Sequence, residues 1–193
     1  MAVQAVERST DWLQPFVPQL VLDWERQAPG ATWREISGSL AFVDISGFTA
    51  MTERLARRGR VGAEEMNEIL NTLFTQLLGV AYDEGAGLVK WGGDAVLLLY
   101  QDDDHAARAC RAAANMQRTI RRIGHVQSSA GRARLRMSVG IHSGTFHFYL
   151  IGDPEIHREL IVAGPSSTRT TQMEQIAEAT EVTDTLDLRG AAV

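Results

Sequence analysis

Residues 40–49 read Leu-Ala-Phe-Val-Asp-Ile-Ser-Gly-Phe-Thr, and this stretch decides how the rest of the chain is interpreted. Its short apolar run predicts a buried strand from Ser39 to Asp44. The Ser46-Gly47 pair then predicts a turn, and apolar residues at helical spacing predict a helix over 49–57. A strand, a turn and a helix in direct succession place the Asp44 carboxylate beside backbone amides that have no helical partner.

A second carboxylate falls in a comparable place further along the chain. Residues 88–91 and 95–100 have the pattern of two strands, and the Gly-Gly pair between them permits the positive φ of a tight hairpin turn. Asp94 lies in that turn. If the strands next to Asp44 and Asp94 are neighbours in one sheet, the two carboxylates converge, and a divalent cation relieves their repulsion. The alternative is that each aspartate serves only its own turn.

The remaining segments alternate between helical and strand patterns. They predict helices over 62–82, 105–122 and 165–178, strands over 133–142, 145–152 and 159–163, a polar loop over 124–131, and a turn at 143–144. The resulting order β-α-α-β-β-α-β-β-β-α favours one α+β domain, a sheet with helices packed on one face, over a doubly wound parallel sheet.

The N-terminal segment has a wide apolar stripe and predicts a helix that starts near Pro18 and ends before Pro29-Gly30. This helix covers either the core of its own domain or a partner interface. We expect a helical extension over 1–38, the main domain over 39–185, and a tail or truncated linker over 186–193.

Composition narrows the classes of protein. The chain has 193 residues, 45% of them hydrophobic, and a net charge of -5, so a dedicated nucleic-acid binder is disfavoured and one globular domain is favoured. Its one cysteine, Cys110, is typical of a reducing compartment, which favours the cytoplasm. No apolar stretch is long enough to predict a membrane span, and Glu7 and Arg8 argue against a signal peptide.

Charged groups outside the two aspartates give weaker signals. Lys90 is the single lysine among 19 lysines and arginines, and its compact ammonium suits a ligand-facing site, although chance explains it equally well. The arginines of 118–136 are interpreted as solvated charge or as a surface for an acidic partner. His142, His147 and His157 lack the spacing of a helical metal pair. The turn at 46–49 attracts phosphate but lacks P-loop spacing.

Three blocks together carry a family resemblance: 40–49, Leu-Val-Lys-Trp-Gly-Gly-Asp-Ala at 88–95, and Met-Ser-Val-Gly-Ile-His-Ser-Gly at 137–144. Over about 39–185 the chain resembles the class III nucleotidyl cyclase catalytic domain, nearest to the first cyclase domain of soluble, bicarbonate-responsive adenylyl cyclases and their bacterial relatives. That resemblance implies a ferredoxin-like α+β fold, head-to-tail pairing of two cyclase domains, and a nucleotide bound between them.

The resemblance also implies roles for particular residues. Asp44 and Asp94, with the Ile45 carbonyl, would ligate two divalent ions, Mg²⁺ or Mn²⁺. The amides of Gly47, Phe48 and Thr49 would bind triphosphate oxygens, and Lys90 matches the hairpin lysine, which reads the purine in a catalytic domain and has another role in a degenerate one. The family reaction is attack of the ribose 3′-hydroxyl on the α-phosphorus of ATP, with release of pyrophosphate.

Other family positions are changed here. Members that complete the site carry an Asn and an Arg on a late helix, and the aligned residues are Thr168 and Gln172. Ile161 stands at the family's base-reading position, and Arg169 is a candidate substitute for the Arg. The resemblance therefore implies the metal-bearing half of an adenylate cyclase, weak or inactive alone, that needs a second cyclase domain in the same chain or in a dimer. The alternatives are a non-catalytic module that binds a nucleotide, an anion or a partner, and a self-sufficient homodimer that uses Arg169.

Overall fold

A curled, mostly antiparallel sheet is the centre of the computed structural model, which describes residues 11–177 and 182–184. Five strands follow the order β2-β3-β1-β6-β7, and β8 pairs with β6 in parallel. Their bounds are β1 Trp33–Ser46, β2 Gly87–Gly92, β3 Ala95–Tyr100, β6 Arg136–Asp153, β7 His157–Ala163 and β8 Val182–Asp184. A separate hairpin joins β4 His125–Ser128 to β5 Gly131–Arg134.

Within the described residues, five α-helices surround the sheet, after a short 3₁₀ helix at Asp11–Phe16. They are α1 Gln19–Gln27, α2 Phe48–Ala56, α3 Arg60–Asp83, α4 His105–Ile123 and α5 Pro165–Ile176. The predicted mixed α+β class is confirmed, since helices alternate with an antiparallel sheet rather than crossing over between parallel strands.

Strand β1 divides the interior into two cores because its side chains alternate between the sheet faces. Ala41, Val43 and Ile45 are buried in a larger core with α2, α3 and α4. Leu40 faces the other side, where it joins a smaller core with the buried ring of Trp24 from α1. The prediction that the helices pack on one face is wrong, because α1 covers the opposite face.

Trp24 decides between the two interpretations of the N-terminal helix. Its side chain has no exposed surface, and its indole Nε1 donates a hydrogen bond to the Ala31 carbonyl at 3.1 Å. The small core around it contains Val89 from β2 and Leu160 from β7, so the sheet curls far enough for both edges to share one apolar cluster. Helix α1 therefore covers the core of its own domain.

Two segments differ from the sequence predictions. The predicted turn at Ser143-Gly144 is wrong: β6 runs straight through it, because Ser143 pairs with Ser39 and Gly144 with Gly38 on β1. The hydroxyl of Ser143 finds a hydrogen-bond partner inside the sheet, because Ser39 Oγ lies 2.6 Å from Ser143 Oγ. Ser39 Oγ also lies 2.8 Å from His105 Nδ1 on α4. The polar loop predicted over 124–131 is instead mostly the β4–β5 hairpin.

The described boundaries also refine the domain map. Strand β1 begins at Trp33, so it crosses the division at 38/39 that the sequence predicts for the main domain. Its first residues pair with the far end of β6, from Tyr149 to Thr145. The tail predicted over 186–193 lies outside the described residues. In the part of the chain that the structure describes, no helix is long and apolar enough to cross a membrane.

Candidate active site

Asp44 lies near the end of β1 on the face opposite the larger core. Its neighbours Val43 and Ile45 are buried in that core, so alternation turns the Asp44 carboxylate to the other side, where it is partly exposed. Across the sheet it pairs with Ala95 of β3 and Ser138 of β6. Strand pairing on both sides fixes the backbone of Asp44, while its side chain stays partly exposed.

Asp94 is brought next to Asp44 by the β2–β3 hairpin. The Ile45 amide donates a hydrogen bond to the Asp94 carbonyl at 3.2 Å. Trp91 fixes the hairpin turn, because its Nε1 donates to the Gly93 carbonyl at 3.0 Å and its ring lies 4.3 Å, centroid to centroid, from that of Phe74 on α3. The structure thus brings together the two carboxylates that the sequence predicts to converge.

The electrostatics of Asp44 reveal a third carboxylate. Burial raises the pKa of Asp44 most, and the charges of Asp94 and Glu174 raise it further, while a backbone hydrogen bond with Ile45 lowers it. Glu174 lies on α5 and accepts a hydrogen bond from Ser138 Oγ at 2.9 Å. The site therefore carries more negative charge than the two predicted aspartates supply.

The sequence analysis did not identify Glu174 and Ser138 as residues of the site. Gly140 is the residue that could have indicated them. A Cβ on Gly140 would lie only 2.1 Å from the Glu174 amide nitrogen, so glycine is what lets α5 approach β6 this closely. Ser138 and Gly140 are two apart on β6 and face the same way, which puts the flank of α5 that carries Glu174 beside Asp44. A glycine two residues after a strand serine is a weak signal without a structure.

The turn after β1 leads directly into the first turn of α2. Gly47 adopts φ of 87°, in the left-handed region, and a Cβ there would lie 2.8 Å from the Arg134 carbonyl oxygen. Helix α2 starts at Phe48 without a side-chain cap, so the amides of its first turn are available to an anion. Thr49 is exposed at this helix start, whereas Phe48 packs partly against the larger core.

Lys90 has a partner that the sequence analysis did not identify. Its Nζ lies 2.6 Å from Glu159 Oε1 on β7, and both side chains are about half exposed. The hydrogen bond and charge of Lys90 lower the pKa of Glu159, with a smaller contribution from His157. Ile161, which the resemblance puts at the base-reading position, pairs with Tyr149 and is partly exposed.

Helix α5 packs on the sheet through one side only. Thr170 and Met173 are buried, whereas Thr168, Arg169 and Gln172 are exposed. The Thr168 hydroxyl donates back to the Gly164 carbonyl at 3.3 Å. The positions aligned with the family's Asn and Arg are therefore on the solvent-exposed side of α5.

The donor set of the site suits a hard divalent cation. Two carboxylates whose mutual repulsion raises the pKa of Asp44, together with the Ile45 carbonyl, are oxygen donors of the kind that Mg²⁺ and Mn²⁺ take. Within 11–177 and 182–184 no cluster of three or more His, Cys, Asp or Glu forms a complete cage. Such an ion would therefore also need backbone, water or phosphate oxygens, as Mg²⁺ usually does.

Comparisons with known proteins agree on the family. Residues 35–187 match the sequence model of the adenylate and guanylate cyclase catalytic domain. Adenylate cyclase type 10 of Oryctolagus cuniculus is 27% identical over 181 residues, which are 91% of this chain and 11% of that protein. A membrane guanylyl cyclase of Dictyostelium discoideum is 30% identical over 141 residues, which are 70% of this chain and 9% of that protein. The chain thus spans about a tenth of the length of these curated relatives.

The comparison with solved structures concerns the fold. The crystal structure of the adenylyl cyclase CyaB from P. aeruginosa superposes with a TM-score of 0.65 at 19% identity, covering 83% of this chain and 82% of that one. At this identity the similarity concerns the fold. The ferredoxin-like cyclase architecture that the resemblance implied is confirmed.

Proposed function

The chain belongs to the adenylate and guanylate cyclase catalytic domain family, and on that premise we propose that it is the metal-bearing half of an adenylate cyclase. Its reaction would convert ATP into cyclic AMP and pyrophosphate. The observation that carries this proposal is the placement of Asp44 and Asp94 side by side next to the uncapped start of α2.

Each group in the site has a proposed task. Asp44, Asp94 and the Ile45 carbonyl hold two divalent ions, which when bound supply charge neutralisation and help to generate the attacking 3′-oxygen. The amides of Gly47, Phe48 and Thr49 hold triphosphate oxygens, because an uncapped helix start favours anions. Lys90 is a substrate-binding residue, once its ammonium leaves Glu159.

ATP is the proposed substrate, rather than GTP. Adenylate cyclase type 10 covers 91% of the chain, which supports ATP, whereas the Dictyostelium relative is a guanylyl cyclase. Ile161 does not contribute to the distinction, because its side chain has no group that hydrogen-bonds a purine. We also propose the cytoplasm as the location, because a sequence with one cysteine cannot form a disulfide within the chain, which is typical of a reducing compartment.

A second cyclase domain is the proposed partner, in the same chain or as a dimer. Thr168 lacks the amide of the family's Asn, and Gln172 lacks the guanidinium of its Arg. Both residues are exposed, and another domain must supply those two groups. Because these residues are exposed, they are accessible to a second domain, as a site formed between two domains requires.

A cyclic-nucleotide assay tests this proposal. The chain is assayed alone and mixed with a cyclase domain that carries the Asn and Arg, with ATP and with GTP, under Mg²⁺ and under Mn²⁺. We expect little product from the chain alone and cyclic AMP from the mixture. A mixture that stays inactive, with nucleotide still bound, would favour a non-catalytic regulatory module, which the changes at Thr168 and Gln172 also suit.

A further inference from the structure

Arg136 opens β6 at the same edge of the site as Asp44. It pairs directly with Ser46, and two residues along Ser138 pairs with Asp44. Opposite residues in an antiparallel pair lie on the same face with Cβ atoms about 5 Å apart. Met137, between them, is buried in the larger core on the other face. Arg136 therefore emerges on the Asp44 face of the sheet.

The backbone just before Arg136 packs against the turn at the start of α2. The Arg134 carbonyl lies so close to Gly47 that a Cβ there would be only 2.8 Å away. Gly47 follows Ser46, the strand partner of Arg136, and precedes the uncapped first turn of α2. Along the direction of β1, Arg136 is thus level with Ser46, between Asp44 and the free amides of α2, and it lies across β1 from Asp94.

Two arginines near Arg136 are already bonded to protein groups. The guanidinium of Arg54 donates to the Arg132 carbonyl at 3.3 Å, and that of Arg132 donates to Gln127 at 3.1 Å. The exposed guanidinium of Arg136 makes no hydrogen bond or ion pair with any residue of 11–177 or 182–184. Its planar donors are available to a ligand.

We propose that Arg136 is a phosphate-binding residue of this chain, which contacts terminal phosphate oxygens of the nucleotide held at Asp44 and Asp94. The proposal rests on the proposed nucleotide site and adds a residue to it. A guanidinium binds two phosphate oxygens at once through parallel N–H donors, which fixes orientation as well as charge. The helix start alone supplies only neutral donors.

The charge balance of the site favours this role. Asp44, Asp94 and Glu174 lie on the same face, and a triphosphate brought there adds further negative charge. Arg136 is a cation placed directly across from Ser46, the last residue of β1. Its side chain is long enough to reach past the sheet edge, where the amides of α2 begin. It would therefore offset the charge of the outermost phosphates rather than that of the nucleoside.

Calorimetry with α,β-methylene ATP, which resists cleavage of the reacting bond, tests the assignment on the full chain with Mg²⁺. We expect Arg136→Gln to weaken binding of this analogue roughly ten-fold or more, and to leave AMP binding unchanged because AMP lacks the terminal phosphates. The affinity of Arg136→Lys for the analogue should lie between those of the wild type and Arg136→Gln, because lysine keeps the charge and loses the paired donors. Arg121→Gln, which removes an exposed arginine from α4, is the matched control.

The outcomes separate the two proposals. Equal affinity of wild type and Arg136→Gln for the analogue, with binding still lost in Asp44→Ala, overturns the role of Arg136 and leaves the nucleotide site standing. An equal loss for AMP and the analogue overturns it too, because it would indicate a change in the whole site. If the wild type binds neither nucleotide, alone or with a complementary domain, the proposed function itself fails.

Discussion

Lys90 and Glu159 form an ion pair of 2.6 Å although their strands lie at opposite ends of the β2-β3-β1-β6-β7 order. The curl of the sheet around Trp24 brings these edges together, with Val89 and Leu160, the neighbours of the pair, buried below it. The ion pair therefore links the two edges of the sheet next to the smaller core. The same ion pair engages the ammonium group of Lys90, which the family resemblance assigns to ligand binding.

The single lysine makes this pair observable by NMR. Dimethylation of Lys90 with a ¹³C label gives one side-chain signal, apart from the amino terminus. Because Lys90 lowers the pKa of Glu159, the pair is present at neutral pH and is lost as the pH falls through that lowered pKa. We expect an acidic transition of the Lys90 signal in the wild type that is absent in Glu159→Gln. A transition retained in the variant would contradict the pairing.

Gly47→Ala should destabilise the fold and weaken nucleotide binding. The left-handed backbone costs an L-residue about 1–2 kcal/mol, and the added methyl would also press on the Arg134 carbonyl. Gly30→Ala is a matched control, because Gly30 has a similar positive φ of 80° but open space around its Cβ position. Thermal unfolding of both variants should show the larger loss for Gly47→Ala. Equal losses would mean that the close contact with Arg134 contributes nothing.

Asp44→Ala and Asp94→Ala should each remove the Mg²⁺-dependent part of nucleotide binding while the fold is kept. Each change deletes a partly exposed ligand rather than a core side chain. Calorimetry with α,β-methylene ATP, with and without Mg²⁺, measures the effect. Asp103→Ala, in the turn before α4, serves as the control. Unchanged metal-dependent affinity in both site variants would rule out the two-aspartate site.

Asp44→Asn should stabilise the protein in the absence of divalent ions. The pKa of Asp44 is raised in the folded state, so folding binds a proton more tightly, and stability falls as the pH rises from the ordinary value of 3.8 through the raised one. Asparagine removes that charge. In EDTA, the variant should therefore have the higher Tm at neutral pH and a flatter Tm–pH curve above pH 3.8. A variant less stable than the wild type at neutral pH would contradict this electrostatic account.

The residues of the site differ in how far the sequence predicts them. Asp44 and Asp94 are predictable because each comes at the end of a clear strand pattern, next to residues typical of a turn. Their positions therefore depend on local structure. Glu174 and Glu159 are not, because their places depend on how closely α5 approaches Gly140 and on how strongly the sheet curls. Those are properties of packing between distant segments.

The failed turn at Ser143-Gly144 has a related cause. Serine and glycine are typical of turns, but here Gly38 and Gly144 face each other on β1 and β6, and the hydroxyl of Ser143 is satisfied by Ser39. Local propensity was outweighed by pairing with a strand more than a hundred residues away.

The double variant Thr168→Asn with Gln172→Arg should raise cyclase activity in a homodimer of this chain. Loss of one preorganised donor commonly costs about 10²–10³ in rate, and both family donors are absent here. A symmetric pair of wild-type chains cannot repair this, because each site would combine Asp44 and Asp94 with only Thr168 and Gln172. The gain should be incomplete, since Ile161 still cannot hydrogen-bond the base.

The same helix supplies a matched control for that experiment. Thr171→Asn with Gln175→Arg makes the same chemical changes at exposed positions of α5 three residues further on, so it should leave cyclic AMP production at the wild-type level. Product is measured at equal protein concentration with ATP and Mn²⁺, alongside the oligomeric state. Vigorous turnover by the unmodified chain, equal to that of a domain pair, would refute the proposed division of labour. Arg169, exposed beside Gln172 on α5, would then be the first residue to mutate.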